Sequence, residues 1–491
     1  MNLKLNTFWS AITLSTFFSP ALSAKSQESS KPNVLFIFVD DMTFDGLNVL
    51  GNKAIISPNL DKLLSEGVTF NNAYNMGAWN GAVSIASRSQ LITGQYVWNS
   101  HNSEKNGYAK NIQQKAIWPT VMKNAGYNTF QTGKWHISYI SPSDVFDYVG
   151  TERPGMPVST PTSNPDAYNR PLSTDDNDWT PWDTAQGGYW QGGKHWSEVL
   201  ADQTISFLND NKKNDKPFFA YCAFNAPHDP RQSPQEYVDM YDVDEIALPE
   251  SYQCEHPCCN QMSAGYDCRD EQLAPFPRTE YAIKKHTQEY YAIITHLDEQ
   301  VGRIINTLKD NDMYDNTLIV FAADNGLAMG KHGLLGKQSL YEHSTKVPLA
   351  FVGPGIPKGE TRDQLVYMQD LVPTVYDYIG IKTPKIVQFK SALPIVKDDK
   401  AKGYSEVYAG FSSTQRMIRD SQYKLYFIPS SQEIMLFDVV NDPQEMNNLY
   451  GDKKYDKVVK SLAKKYLVLA KKSGDSFEIP AYYYDLFSQL N

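Results

Sequence analysis

The chain has 491 residues, of which 41% are hydrophobic, 13% aromatic and 21% charged. This composition excludes global disorder and suits a large globular protein with two domains. Its 46 basic and 56 acidic residues give a net charge of −10 without any long run of lysine and arginine, which argues against nucleic acid as a partner.

Residues 1–24 have the pattern of a cleavable signal peptide. Lys4 precedes an apolar run over residues 8–18, and small residues follow from Ala21 to Ala24. The run is short and contains Ser and Thr, so cleavage is favoured over a membrane anchor. We therefore expect a periplasmic or secreted protein with no membrane association after cleavage, in an oxidising compartment.

Three apolar runs that predict buried strands end in polar residues. The run NVLFIFV precedes Asp40 and Asp41, TLIVFAA precedes Asp324 and Asn325, and PFFAYCAFNAP precedes His228. Helical patterns cover residues 59–66, 118–125 and 289–309. Strands that alternate with helices predict an α/β fold, in which a mostly parallel sheet is covered by helices on both faces.

Two other parts of the chain have a different character. Residues 140–195 are rich in Pro, Gly, Asp, Thr and Trp with little periodicity, which predicts a long surface insertion. After residue 375, short segments alternate with polar turns and lead to a lysine-rich amphipathic helix near 453–473, which predicts a small antiparallel sheet with a helix. Gly380 and Pro384 mark the break, so we expect a large domain over 31–378 and a small C-terminal α+β domain over 379–491.

Four cysteines fall within one short segment: Cys254, Cys258, Cys259 and Cys268. Their spacing lacks the paired knuckles of a zinc site, and an oxidising compartment favours disulfides, whose pairing the sequence leaves open. Cys222 lies in an apolar run and is expected to be a buried thiol.

The polar residues after NVLFIFV and after TLIVFAA are candidate metal ligands. Asp40, Asp41, Asp324 and Asn325 carry hard oxygen atoms, which suit calcium or magnesium better than zinc. An isolated Asp pair is more typical of a loop or a helix start than of a metal site. Two such strand ends make a shared cation site the better interpretation.

The segment NGAVSIASRSQLITGQY places Ser84 and Arg88 four residues apart, on one face of a helix. It resembles the signature of the sulfatase family, which has Cys or Ser, any residue, Pro or Ala, a small residue and Arg, followed by Thr-Gly. Further motifs match in the expected order, from residue 33 to about residue 448: GKWH with Lys134 and His136, APHDPR with His228, AADNG with Asp324 and Asn325, GKHGLLGKQSLYE with Lys337, and FDVVNDPQEMNNL.

The resemblance implies an alkaline-phosphatase-like fold and a formylglycine-dependent mechanism. Ser84 would be oxidised to formylglycine, whose hydrate attacks sulfur and later expels sulfate. Because the motif begins with Ser84 and has Ala86 in place of proline, the maturase implied is the radical type. The bound ion would be Ca²⁺, held by Asp40, Asp41, the modified Ser84, Asp324 and Asn325.

The resemblance also assigns roles to the cationic residues. Arg88 and Lys134 would hold the hydrated aldehyde, His136 would assist sulfate release, and His228 with Lys337 would contact sulfate and protonate the leaving oxygen. Fixed positive charge suits this reaction, because the transferred group stays negative throughout.

The expected substrate is a sulfated carbohydrate that is attacked near a chain end. The insertion between Ser141 and Trp196 and the segment 254–268 would form the pocket rim, with the aromatic faces of Trp179, Trp182, Trp190 and Trp196 available to stack on sugars. Alternatively, these tryptophans only pack the insertion. Two other functions remain open: a phosphate or phosphonate monoester hydrolase of the same superfamily, and a non-catalytic glycan-binding protein with unmodified Ser84.

Overall fold

The computed structural model describes residues 31–108, 116–157, 180–265 and 267–483. The predicted signal peptide lies outside the described residues, as does Trp179. From Pro32 onward the described chain forms one compact unit, and the division between residues 378 and 379 stays a prediction. No helix in the described ranges has the length and apolarity needed to cross a membrane.

The centre of the fold is a sheet of eight strands: β1 (Asn33–Val39), β2 (Val68–Phe70), β5 (Asn128–Lys134), β6 (Tyr148–Arg153), β9 (Phe218–Ala223), β10 (Thr317–Ala323), β12 (Leu349–Val352) and β13 (Glu360–Arg362). Their order is β13-β2-β12-β10-β1-β9-β5-β6. All neighbouring pairs are parallel except those of β12, which runs antiparallel to β10 and β2. The predicted mostly parallel sheet is therefore confirmed.

Strand β1 lies in the middle of this sheet, between β10 and β9. All seven of its residues are buried, as expected for a strand covered on both faces. Val39 pairs with Ala323 at the end of β10, so Asp40 and Asp324 leave the sheet side by side. The strand register thus brings two of the predicted metal ligands together.

The helices are α1 (Pro58–Ser65), α2 (Val83–Thr93), α3 (Val97–Lys105), α4 (Trp118–Asn124), α5 (Pro142–Val145), α6 (Trp196–Asn211), α7 (Gln235–Val238), α8 (Glu280–Asp310), α9 (Glu342–Thr345), α10 (Leu371–Tyr378), α11 (Leu393–Lys397) and α12 (Asp456–Ser473). Helix α8 begins nine residues before the predicted start at residue 289. The Thr279 side chain caps it by accepting the backbone N–H of Ala282.

The segment over residues 140–195 is only partly the irregular insertion that its composition predicts. It contains α5 and then β6, which pairs parallel with β5 at the edge of the central sheet. A short hairpin, β7 (Trp190–Gln191) with β8 (Lys194–His195), follows. The prediction was wrong for β6 because an edge strand is exposed on several residues and so lacks a continuous apolar pattern.

A second sheet carries the C-terminal part of the chain. It consists of β15 (Val407–Phe411), β16 (Gln415–Arg419), β17 (Tyr423–Ile428), β18 (Glu433–Asp438) and the distant β4 (Gly77–Ala78), in the order β18-β17-β16-β15-β4. Four strands are antiparallel neighbours, and α12 packs on β16 and β17. A small three-stranded sheet, β11 (Lys346–Val347), β3 (Ala73–Tyr74) and β14 (Val366–Tyr367), completes the fold. The predicted small sheet with a helix is confirmed, while β4 is too short to be visible in the sequence.

The cysteine prediction was wrong in one respect, because all five cysteines are unpaired. The side chains of Cys258 and Cys259 have different surroundings: Cys258 lies near Ser431 in the C-terminal sheet, and Cys259 lies near Glu255. Adjacent residues that point apart cannot be bridged without backbone movement. Cys222 is a fully buried thiol, as predicted.

Candidate active site

Three carboxylates converge at the carboxyl edge of the central sheet. Asp40, Asp41 and Asp324 each offer an oxygen within 4.8 Å of the others, and all three are buried. The Asn325 side chain donates to Asp41 at 2.5 Å, while its own Oδ1 is buried and accepts no hydrogen bond from the described residues. An orphaned amide oxygen beside three carboxylates is the donor set that a hard cation takes.

Cationic side chains surround these carboxylates. Lys134 contacts Asp40, and Lys337 Nζ lies 2.8 and 2.7 Å from the two oxygens of Asp41. Burial raises the pKa of Asp324, and the neighbouring Asp40 raises it further. Burial likewise lowers the pKa of Lys134. Each of these buried charges is therefore stabilised by an opposite charge next to it, which offsets the cost of burial.

Ser84 is the second residue of α2, and its hydroxyl donates to Asp40 Oδ1 at 2.9 Å. One turn later, Arg88 is fully buried and donates to Asp324 Oδ2 at 3.1 Å and to the carbonyl of Lys134 at 3.1 Å. The predicted helix face therefore exists and points at the carboxylates. The N-terminus of a helix also favours negative charge close to Ser84.

Lys134 is the last residue of β5, and His136 lies two residues further along the chain. The preceding Gly133 is needed because a side chain there would lie 2.0 Å from the carbonyl oxygen of Ala223 on β9. His136 has φ 56°, the left-handed region that non-glycine residues rarely adopt. Burial and then the charge of Lys134 lower the pKa of His136 to about 2, so its ring is neutral.

His228 lies beyond the end of β9 and faces Asp41. Its Nε2 is 3.6 Å from Asp41 Oδ2, and its Nδ1 is 2.8 Å from the carbonyl oxygen of Asp229. The backbone acceptor fixes the Nδ1 proton and orients the ring. Asp41, like His136, has a left-handed backbone, with φ 63°, and strained residues of this kind gather at functional sites.

A cavity of about 640 Å³ opens above this cluster. Ser84, Lys134, His136, His228 and Lys337 line it, while Arg88 lies buried beneath. The remaining lining residues include Gly81, Ala82, Pro154, Gly155, Met156, Ser263, Asp267, Cys268, Arg269, Asp270 and Gln338. The structure thus brings the residues predicted to act in catalysis or to bind the metal ion to one place.

Several residues of this site were missed by the sequence analysis. Arg269 contacts Asp229 and lies 2.7 Å from Asp270, and Gln338 donates to Asp270 at 2.8 Å. Asp229 lies within the APHDPR motif, directly after the predicted site residue His228, and this position could have marked Asp229 as a site residue too. Arg269 and Asp270 directly follow Cys268, just beyond the segment 254–268 that was predicted to form part of the pocket rim.

The three tryptophans of the insertion that the structure describes do not line the cavity. Trp182 packs on a small cluster of apolar residues, Trp190 donates to the carbonyl of Pro181 at 3.0 Å, and Trp196 is buried under Arg153. Of the described tryptophans, none lines the cavity. These three tryptophans therefore do not form the predicted sugar-stacking surface at the cavity, and each packs against other parts of the chain.

The chain is similar in sequence to sulfatases, and similar in fold to sulfatases and to phosphonate monoester hydrolases. N-acetylglucosamine-6-O-sulfatase of Bacteroides thetaiotaomicron is 26% identical over 92% of this chain and 88% of its own. A protein solved with its substrate D-glucosamine-2-N,6-O-disulfate superposes with a TM-score of 0.69 at 22% identity, over 91% of this chain and 99% of that one. Phosphonate monoester hydrolase of Agrobacterium radiobacter has a TM-score of 0.71 at 21% identity, over 90% and 96% of the two chains.

Two family models match the chain. One is described as N-sulphoglucosamine sulphohydrolase, C-terminal, and covers residues 330–472. The other is described as sulfatase and covers residues 32–381, which contain every predicted site residue. The chain belongs to the sulfatase family of sulfuric ester hydrolases.

Proposed function

We propose that this sulfatase removes sulfate from a carbohydrate, near a chain end, using formylglycine formed at Ser84. One observation carries the proposal: the Ser84 hydroxyl lies on the floor of the cavity and contacts Asp40, one of three clustered carboxylates. The hydrogen-bond acceptor of the Ser84 hydroxyl is thus the Asp40 carboxylate rather than a histidine.

A calcium ion would be held by Asp40, Asp41, Asp324 and Asn325, with the residue-84 side chain beside them. Oxygen donors alone suit this hard ion. When bound, it would supply positive charge next to the sulfate oxygens. It would also offset the burial of Asp324 and its repulsion by Asp40, which together raise the pKa of Asp324.

Formylglycine would supply a hydrated aldehyde, with one oxygen for attack on sulfur and a second to release sulfate afterwards. The protein's own residues would do the rest. Arg88 and Lys134 would hold the hydrated aldehyde, since Arg88 contacts Asp324 and Lys134 contacts Asp40, the carboxylate that also accepts the Ser84 hydroxyl. Lys134 and Lys337 offer ammonium groups to the sulfate oxygens.

Proton transfer would be divided between the two histidines. His228 lines the cavity and would protonate the departing ester oxygen through Nε2, while its Nδ1 stays fixed on the backbone. His136 is neutral, because burial lowers its pKa. One nitrogen of a neutral imidazole can accept a proton, and His136 would take one from the residue-84 side chain during sulfate release.

The substrate proposal rests on the size of the cavity and on the relatives. A volume of about 640 Å³ falls within the range of sites that enclose one small molecule. Segments around Pro154 and Arg269 wall it, so a terminal sugar would enter more easily than the middle of a polymer. The relatives named for N-acetylglucosamine 6-sulfate and solved with a sulfated glucosamine support a sugar. Export through the predicted signal peptide would bring the enzyme to such polymers.

The test is co-expression with and without a radical-type maturase. The peptide that contains residue 84 should lose two hydrogens only with the maturase, and sulfate release should appear in the same samples. Ser84→Ala should be inactive, whereas Ser263→Ala, also in the cavity wall, should stay active. Full activity with unmodified Ser84 would overturn the mechanism.

Substrate panels test the rest of the proposal. Sulfate release should rise steeply when a sulfated polysaccharide is digested to oligosaccharides. Equal rates on polymer and oligomers would exclude the end-acting pocket, and activity restricted to aryl or choline sulfate would exclude carbohydrate. Faster turnover of matched phosphate or phosphonate esters would favour the rival function of the superfamily.

A further inference from the structure

Helix α12 carries a basic surface that the catalytic site does not use. Its apolar face is buried against the C-terminal sheet through five residues: Val459, Leu462, Ala463, Tyr466 and Ala470. Its opposite face is exposed and carries lysines. The helix is therefore anchored along its length, and its lysines are presented on a rigid support.

Four of these lysines form a straight row, which we call the lysine ridge: Lys457, Lys460, Lys464 and Lys471. At about 100° per residue they lie within roughly 60° of one another around the helix axis. At about 1.5 Å per residue the row is about 21 Å long. The sequence has no run of lysines here, because helical spacing collects them on one side.

The charges of the ridge have no acidic partners within ion-pair distance in the described part of the chain. Three other lysines of the same segment are engaged. Lys454 lies 3.4 Å from Asp452, Lys465 lies 2.5 Å from Glu406, and Lys472 lies over the ring of Tyr96 at 5.5 Å. A concentrated row of uncompensated positive charge is thus found on a protein whose net charge is −10.

We propose that the lysine ridge binds a linear sulfated polysaccharide, as a second surface outside the catalytic cavity. This identification of the occupant rests on the proposed function. A polymer with regularly spaced sulfates can meet several ridge lysines at once. Without such a row, the negative charge of the protein would repel the polymer. The ridge would hold the enzyme close to its polymer while freed chain ends enter the cavity.

Two other polyanions fit the ridge less well. An anionic membrane favours helices that insert an apolar face, but the apolar face of α12 is buried, and its exposed apolar side chains are only Leu467 and Val468. Single-stranded nucleic acid favours aromatic side chains on which bases stack, and the exposed face of α12 carries none.

The test compares a ridge variant, with all four lysines changed to Gln, with a control in which Lys212, Lys358, Lys382 and Lys400 are changed to Gln. The control lysines are also exposed but lie in separate parts of the chain. Binding to dextran sulfate, with neutral dextran as the blank, should weaken at least about tenfold at low salt in the ridge variant alone. The slope of log affinity against log salt should become shallower by about 3, since four charges are lost. Hydrolysis of a small aryl sulfate should be unchanged.

Three results would overturn the proposal: ridge-variant binding and salt slope equal to those of the control, tighter wild-type binding to single-stranded DNA than to dextran sulfate, or tighter binding to anionic vesicles. A different result would show that the proposed function is wrong while the ridge proposal holds. In that case the matured protein would desulfate no carbohydrate, while dextran sulfate binding would still depend on the ridge lysines.

Discussion

The substitution Gly155→Ala tests the position of His136, because it adds one methyl group beside the His136 ring. A Cβ atom at residue 155 would lie 2.4 Å from Cε1, 2.5 Å from Nε2 and 2.9 Å from Cδ2 of the His136 ring. Because carbon atoms pack no closer than about 3.5 Å, Gly155→Ala must drive the ring away by about 1 Å. The ring is the free end of a side chain, so we expect a stability cost of only about 1–3 kcal/mol.

The catalytic cost should be larger, because misplacing a reacting group by about 1 Å can reduce the rate about 100-fold. The assay is kcat/KM for an aryl sulfate, with thermal melting and the mass of the residue-84 peptide measured on the same preparation. Gly81→Ala is the matched control, since Gly81 lines the same cavity and a Cβ there meets no atom within 4 Å. Equal rates for the two variants, at equal formylglycine content, would refute the assigned position and role of His136.

Three further outcomes follow from the charged clusters. Asp324→Ala should abolish turnover and reduce bound calcium while leaving the circular dichroism spectrum unchanged; retained turnover would contradict the metal site. Chelation should lower the melting temperature, because buried carboxylates are left without the ion, and calcium should restore both stability and activity. Burial alone would raise the pKa of Glu342, but Arg419 and Lys424 outweigh it and lower this pKa from an ordinary 4.5 to about 2. Above pH 4.5, ionised Glu342 therefore contributes about 3 kcal/mol to the free energy of unfolding. This contribution is lost as the pH falls from 4.5 toward 2. Urea denaturation should therefore show that Glu342→Gln is less stable than the wild type at pH 7 and progressively closer to it in acid. A difference in unfolding free energy that stays constant with pH would exclude this linkage.

The sequence by itself determined the parts of this protein whose signals are local. Continuous apolar runs identified β1, β9 and β10, since central parallel strands are buried on both faces. Helical spacing placed Ser84 and Arg88 on one side of α2. The order of the motifs indicated the sulfatase family, which the family model confirms.

Only the tertiary structure decided which distant residues meet. Strand register sets Asp40 beside Asp324, and the loop after Cys268 delivers Arg269 to Asp229, a contact between residues 40 positions apart that no local pattern encodes. The unpaired cysteines and the inward-packed tryptophans were mispredicted for the same reason. Composition tells which side chains are available, whereas their direction depends on the elements against which they pack.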